Sequence, residues 1–398
     1  MKNFSNLTPE NGTNHEPLID FLLIYFQFPI CIIGSILNFI NFLVLTRIGI
    51  SNATYILMSA LAFTDASTLL LRTVQTYVRI IGPLPRCETL PFCEMPNLKY
   101  KLYIFVLYAE VPITNITENL SCWITLALAV EHYIQMKFFT KSRLYCTVEN
   151  SKKLIFLLTF LSTLVNLPFF FLMTTSVKYE TNQRNQSIPV VYAKKRQFMD
   201  SIFYPIHSWL RFCIVQMFPL LLLCVFNGLL FSTVYKRNRN YFNSNRQYFK
   251  TLRKWSKDLN SIKAQAIEHS SGQCSSPSPK LETRMSLISK KQKAQYKLTI
   301  LLIVIIILFL IGQIPHAFAY VGIHRFFSNC KDLTYLKDCP KHELYRSVTM
   351  ILTLACYSLN FFVYIFLNSH YQNSFFTLFR IPKQNCLNFR LFEIKLKN

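Results

Sequence analysis

Residues 298–321 read LTILLIVIIILFLIGQIPHAFAYV, and no Asp, Glu, Lys or Arg interrupts them. The stretch exceeds the ~20 residues that a helix rising about 1.5 Å per residue needs to cross a ~30 Å hydrocarbon core. Phe21–Thr46, Leu154–Val177, Phe212–Tyr235 and Ser347–Asn368 are equally free of charge and of similar length. Ala53–Leu71 and Val111–Val130 are comparably apolar but hold one acid each, Asp65 and Glu118. These make seven spans. A bilayer accepts only helices, which satisfy their own backbone hydrogen bonds, or closed barrels, and the alternation of a barrel strand is absent here. The expected fold is therefore an all-α membrane protein, a seven-transmembrane helix bundle with spans at about 18–46, 53–81, 100–136, 154–177, 201–235, 296–322 and 344–367. Pro29, Pro112, Pro168, Pro205, Pro219 and Pro315 fall inside spans, where a packed bundle tolerates them as kinks.

Composition agrees with a membrane chain. Only 16% of the 398 residues are charged and 52% are hydrophobic, against about 25% charged in soluble proteins. Eight Gly, with no G-x-G-x-x-G or P-loop pattern, leave no usual nucleotide-binding motif. The net charge of +24 would fit nucleic acid only if it lay on a water-soluble surface. It does not. Arg47, residues 137–153 and 236–297 and the tail after 368 together hold net +21, whereas the segments on the other side hold +4. Under the positive-inside rule the first set is cytoplasmic and the N-terminus is extracellular. Residues 1–17 carry three glycosylation sequons, at Asn3, Asn6 and Asn11, as an extracellular segment would.

The inner loop at about 240–290 is basic and Ser/Pro-rich and is expected to be disordered; its charge reads either as contact with anionic lipid or as a docking surface for an acidic partner. Cys87, Cys93, Cys330 and Cys339 lie in outer loops as candidate disulfide cysteines, and either two local bridges or two cross-links between loops are open. Cys386 in the tail is a candidate for S-acylation. No Cys/His set has metal-ligand spacing, and no cofactor motif occurs. An enzyme is not expected, because no nucleophile, base and orienting group recur at a recognisable spacing.

Intramembrane polar residues are costly and mark sites by default. Glu110, Thr114, Glu118 and Ser121 recur on one face of the third span. Arg72 and Arg211 are candidate partners for the acids. The set reads either as a structural salt-bridge network or as an outward-open pocket that recognises a cationic ligand. Asp65 with Asn38, Ser121 and Asn360 reads as a deeper cluster, either satisfied core polarity or a small-cation site.

In order along the chain, Gly34-Ser35-Ile36-Leu37-Asn38, Leu61-Ala62-Phe63-Thr64-Asp65, Ala127-Leu128-Ala129-Val130-Glu131-His132-Tyr133-Ile134, Phe218-Pro219, Phe309-Leu310-Ile311-Gly312-Gln313-Ile314-Pro315 and Leu359-Asn360-Phe361-Phe362-Val363-Tyr364 resemble the motifs of rhodopsin-like G-protein-coupled receptors. Residues 369–380 are similar to the membrane-surface helix that follows their seventh span. Within that family the Phe309–Pro315 motif, Asn166-Leu167-Pro168-Phe169-Phe170 and Pro219 followed by Asn227 look most like invertebrate FMRFamide-type neuropeptide receptors.

The resemblance implies a plasma-membrane receptor with an extracellular peptide ligand, a heterotrimeric G protein and membrane lipid as partners, and no nucleic acid. It assigns Glu110, Thr114, Glu118, Arg211 and Gln313 to the ligand side. It assigns Asn38, Asp65, Ser121, Asn360 and Tyr364 to a polar relay, and Glu131, His132 and Tyr133 to the G-protein face. An Arg-Phe-amide ligand would pair its guanidinium with Glu110 or Glu118. The departures are specific. His132 stands where the family has Arg, Phe361 where it has Pro and Leu107 where it has a disulfide Cys, and residues 178–200 hold no Cys. Alternative readings are a chemosensory receptor of the same fold for a small external ligand, and a decoy that binds without coupling because of His132.

Overall fold

A computed structural model describes residues 16–48, 52–81, 98–138, 142, 144–171, 173–181, 187–195, 203–236, 239, 299–319 and 340–380. Asn3, Asn6 and Asn11, the cysteines 87, 93, 330, 339 and 386, and the inner loop 240–290 lie outside them. Seven long helices appear among the described residues. Helix α1 runs over 16–48, α2 over Ala53–Ile81, α3 over 98–137, α4 over Val148–Asn166, α5 over 203–236, α6 over Thr299–Ala317 and α7 over Pro340–Leu367. A short α8, Ser369–Leu378, follows. Six of the long helices are apolar enough to cross a membrane by length and composition alone. The seventh, α3, carries the acids: Glu110 is 0% and Glu131 8% exposed, so its polarity is turned into the bundle. Large apolar side chains stay exposed on the outer faces, such as Phe156 at 76%, as a lipid-facing surface requires.

Prolines shape three of these helices. Each of α1, α3 and α5 contains a π-helical turn, at Leu23–Gln27, Val106–Glu110 and Phe212–Met217, and Pro29, Pro112 and Pro219 follow within two residues. A proline has no N–H to give and its ring crowds the carbonyl four residues back, which lies inside the π turn each time. Widening that turn relieves the crowding and lets the carbonyl accept from further along. In α3 the turn ends on Glu110.

The fourth helix departs from the expected 154–177. It starts at Val148, where Thr147 caps it by accepting from the Asn150 N–H, and it tightens into a 3₁₀ turn at Leu167–Phe171 around Pro168. Residues 173–177 belong instead to strand β1, Met173–Thr181, which pairs antiparallel with β2, Ser187–Lys195, with Val177 opposite Val191. Thr, Val and Tyr in this run favour a pleated strand over another helical turn. The bundle thus carries one hairpin between α4 and α5.

Two apolar clusters hold the bundle. One joins α1, α2, α3, α6, α7 and α8 through Leu45, Leu57, Ile124, Leu301, Tyr364 and Tyr371; the other joins α3, α5, α6 and α7 through Leu126, Leu223, Ile306, Phe309 and Tyr357. Helix α8 is capped by the Asn368 side chain, which accepts from the His370 and Tyr371 N–H groups. Burial holds the Tyr371 phenol above its ordinary pKa, and the hydroxyl donates to Asn41 Oδ1 of α1 at 2.7 Å.

Candidate functional site

The acids predicted on α3 meet Arg72 of α2. Arg72 Nη2 donates to Glu118 Oε1 at 2.9 Å, and Nη1 lies 3.7 Å from Glu110 Oε1. Nη1 also donates to Gln75 Oε1 at 2.8 Å. Thr114, predicted on the ligand side, is fully buried and donates its hydroxyl to Glu110 Oε1 at 2.9 Å. Spacing on one helix explains that contact, since positions four apart stack on one face. Glu110 Oε2 and Arg72 Nε are buried without a hydrogen-bond partner. The Glu118 side chain keeps 14% exposure whereas that of Glu110 has none, so Glu118 is the more accessible of the two acids. Among the described residues, Arg72 is the cation within ion-pair distance of both carboxylates.

Arg211 and Gln313 lie on other walls. Arg211 Nη2 donates to Asn115 Oδ1 at 2.9 Å and the guanidinium sits 4.7 Å from the Phe169 ring centre, a cation–π contact; with His316 it acts on Glu118 at longer range. Gln313 accepts from Gln216 Nε2 at 3.4 Å and donates to the Tyr357 hydroxyl.

Of the five residues assigned to the relay, three are brought together. Asp65 accepts from Ser121 Oγ at 2.7 Å and from Asn360 Nδ2 at 2.9 Å. Asn38 instead donates to the carbonyls of Gly34 and Tyr357, each at 3.0 Å, and its own oxygen accepts from Asn41 at 3.4 Å. The Tyr364 hydroxyl is buried without a partner, its ring stacked on Tyr371 at 5.6 Å. Tyr357, Asn41 and Tyr371 were not singled out in the sequence. They join Gln313 above to α8 below through hydrogen bonds at Tyr357, Asn38 and Asn41. Helical spacing was the available signal: Asn41 and Tyr357 each sit three residues from an asparagine already assigned, Asn38 and Asn360.

At the inner end Glu131 is satisfied by neutral donors, Thr54 at 3.0 Å, Gln135 at 2.8 Å and Ser151 at 3.4 Å. His132 is 2% exposed, and its Nε2 is 2.7 Å from Thr299 Oγ1 of α6. It therefore ties α3 to α6 rather than facing outward. Tyr133 accepts from Lys137 Nζ at 2.7 Å and packs edge-on against Phe226 of α5.

The family model for the serpentine type 7TM GPCR chemoreceptor Srw matches residues 25–259, more than half of the chain. The chain belongs to this family of G-protein-coupled receptors. A Caenorhabditis elegans protein described as sex peptide receptor-related protein 2 is 21% identical over 359 residues, which cover 85% of the receptor and 69% of that protein. Membership accounts for the seven-helix bundle and makes the receptor a multi-pass membrane protein, a receptor and not an enzyme, whose partners are in general an external ligand and a G protein.

Proposed function

We propose that the receptor sits in the plasma membrane with its N-terminus outside and binds an extracellular amidated, FMRFamide-like neuropeptide. In this reading binding shifts the bundle toward a packing in which α6 swings out about Pro315 and opens a cytoplasmic face to a heterotrimeric G protein. The observation that carries it is the Arg72–Glu110–Glu118 trio, two carboxylates on one guanidinium, with Glu118 the more accessible acid. A carboxylate inside a membrane protein that keeps some exposure favours a ligand cation, and Arg pairs with carboxylates through two parallel hydrogen bonds. Thr114 is neutral and turned to Glu110, which disfavours a lone amine held at that position. The related nematode protein is named for a peptide receptor, and this supports the peptide class.

A screen of amidated peptides on cells expressing the receptor tests this reading. Glu118→Ala is expected to lower peptide potency by roughly tenfold to a hundredfold at unchanged surface display, the range of a lost hydrogen bond to a charged group. Unchanged potency removes Glu118 from the site. The family description as a chemoreceptor favours a second reading, a small external ligand. Responses to volatile or soluble small molecules, with none to peptides, would select it.

Coupling has its own test. His132 is shorter than the family Arg and lacks its planar fork, and it is engaged by Thr299. His132→Arg is expected to raise ligand-evoked G-protein turnover in membranes. A silent natural receptor that gains signalling with His132→Arg is a decoy; full turnover without the change excludes that role.

A further inference from the structure

Resting on the cationic-ligand reading, we infer that Arg72 is a built-in stand-in for the ligand's cation, which hands Glu118 over on binding and moves to Glu110. Arg72 holds Glu118 Oε1 at 2.9 Å, so the more accessible carboxylate is already occupied. Glu110 is the vacant landing place. It is fully buried, its Oε1 is 3.7 Å from Arg72 Nη1, and its Oε2 has no hydrogen-bond partner. Arg72 Nε is likewise buried without a partner. A buried carboxylate oxygen and a buried guanidinium N–H left open each carry the cost of an unmade bond. Closing the 3.7 Å separation between Nη1 and Oε1 to the 2.9 Å that Arg72 has with Glu118 would turn a long ion pair into a hydrogen-bonded one and bring the guanidinium onto the carboxylate whose other oxygen is open. The only event that makes this favourable is the arrival of another cation at Glu118, since otherwise Glu118 would be left uncompensated.

The ligand class follows. The incoming group is a monocation with several N–H donors, a guanidinium before an ammonium, because it replaces a guanidinium on the same carboxylate. Arg72 and the ligand compete for Glu118, so the two Glu residues have different jobs: Glu118 touches the ligand, and Glu110 is a positioning residue that acts through Arg72. The transfer also changes the tie between α2 and α3. Thr114 moves with it, since its hydroxyl is bonded to Glu110 Oε1.

The test uses purified full-length receptor and two probes, N-acetyl-L-argininamide and its neutral citrulline counterpart, with affinity read from the rise of the thermal midpoint with probe concentration. The arginine probe should stabilise the unmodified receptor and the citrulline probe should not. Glu118→Gln should weaken the arginine probe roughly tenfold to a hundredfold. Glu110→Gln should weaken it as well, because Arg72 then has nowhere to go. Arg72→Gln should tighten it, and Glu110→Gln combined with Arg72→Gln should recover the loss, whereas Glu118→Gln combined with Arg72→Gln should not. A purely structural role for Glu110 would instead lower the thermal midpoint of the ligand-free receptor and leave the rise produced by the probe unchanged. Undiminished binding in Glu110→Gln, absence of rescue, or weaker binding in Arg72→Gln overturns the exchange, and the last variant decides even if Glu110→Gln fails to fold. Equal stabilisation by both probes, or by neither, also overturns it, while the peptide reading stands or falls separately on the peptide screen.

Discussion

Gly34→Val should nearly abolish display of the receptor at the cell surface. A Cβ at Gly34 would collide with Ser358 Oγ and lie 2.9 Å from Ser358 Cβ and 3.1 Å from Leu69 Cδ1. The hydroxyl could rotate away, but Ser358 Cβ is fixed to the α7 backbone, so α1 and α7 would have to part. Separation is expensive at this level of the bundle. Asn38, one turn along, bridges the Gly34 and Tyr357 carbonyls at 3.0 Å each, and Ser358 Oγ donates to the Leu354 carbonyl at 2.9 Å and reaches the Ile30 carbonyl at 3.4 Å. Overpacking costs about 1–3 kcal/mol, and a broken buried hydrogen bond leaves a polar group unsatisfied at a cost of about 1–3 kcal/mol more. Gly228→Val is the matched control, because a Cβ there meets nothing within 4 Å. Surface and total receptor are measured by an N-terminal tag on intact and permeabilised cells. Equal display of the two variants would refute the close approach.

The bundle was legible because intramembrane helices announce themselves: residues 298–321 can only be buried in lipid or protein. The third span was legible for the opposite reason, its polar residues falling on one helical face. The end of α4 was not, since hydrophobicity continues from Leu154 to Val177 and only β propensity separates Phe171 from Met173. Spacing along α3 likewise placed Glu110, Thr114 and Glu118 together but did not say which acid Arg72 would prefer. That choice depends on the rise between α2 and α3 and on the π turn ending at Glu110. His132 shows the limit most clearly. Its motif placed it at the inner end of α3, yet its partner, Thr299, is 167 positions away and belongs to no motif.

Asp65 tests where the stability of the bundle is held. Asp65 is fully buried at the meeting of α2, α3 and α7, and its two oxygens take different helices, Ser121 at 2.7 Å and Asn360 at 2.9 Å. Asp65→Ala removes both acceptors and leaves a hydroxyl and an amide facing a cavity, at about 1–3 kcal/mol for each unsatisfied donor with a further term for the lost volume. The sum is a large share of the ~5–15 kcal/mol that separates a folded domain from its unfolded state. Asp65→Asn preserves shape but offers one oxygen to two donors, so its loss should be about half as great. Combining Asp65→Asn with Asn360→Asp restores the set, because the new amide donates to the new carboxylate while the remaining oxygen still accepts from Ser121. The thermal midpoint of purified receptor should therefore fall most for Asp65→Ala, less for Asp65→Asn, and return toward the natural value in the exchanged pair. If the pair stays as unstable as Asp65→Asn alone, the hydrogen bond to Asn360 is not what Asp65 contributes, and the buried charge itself must be acting on a group other than these two.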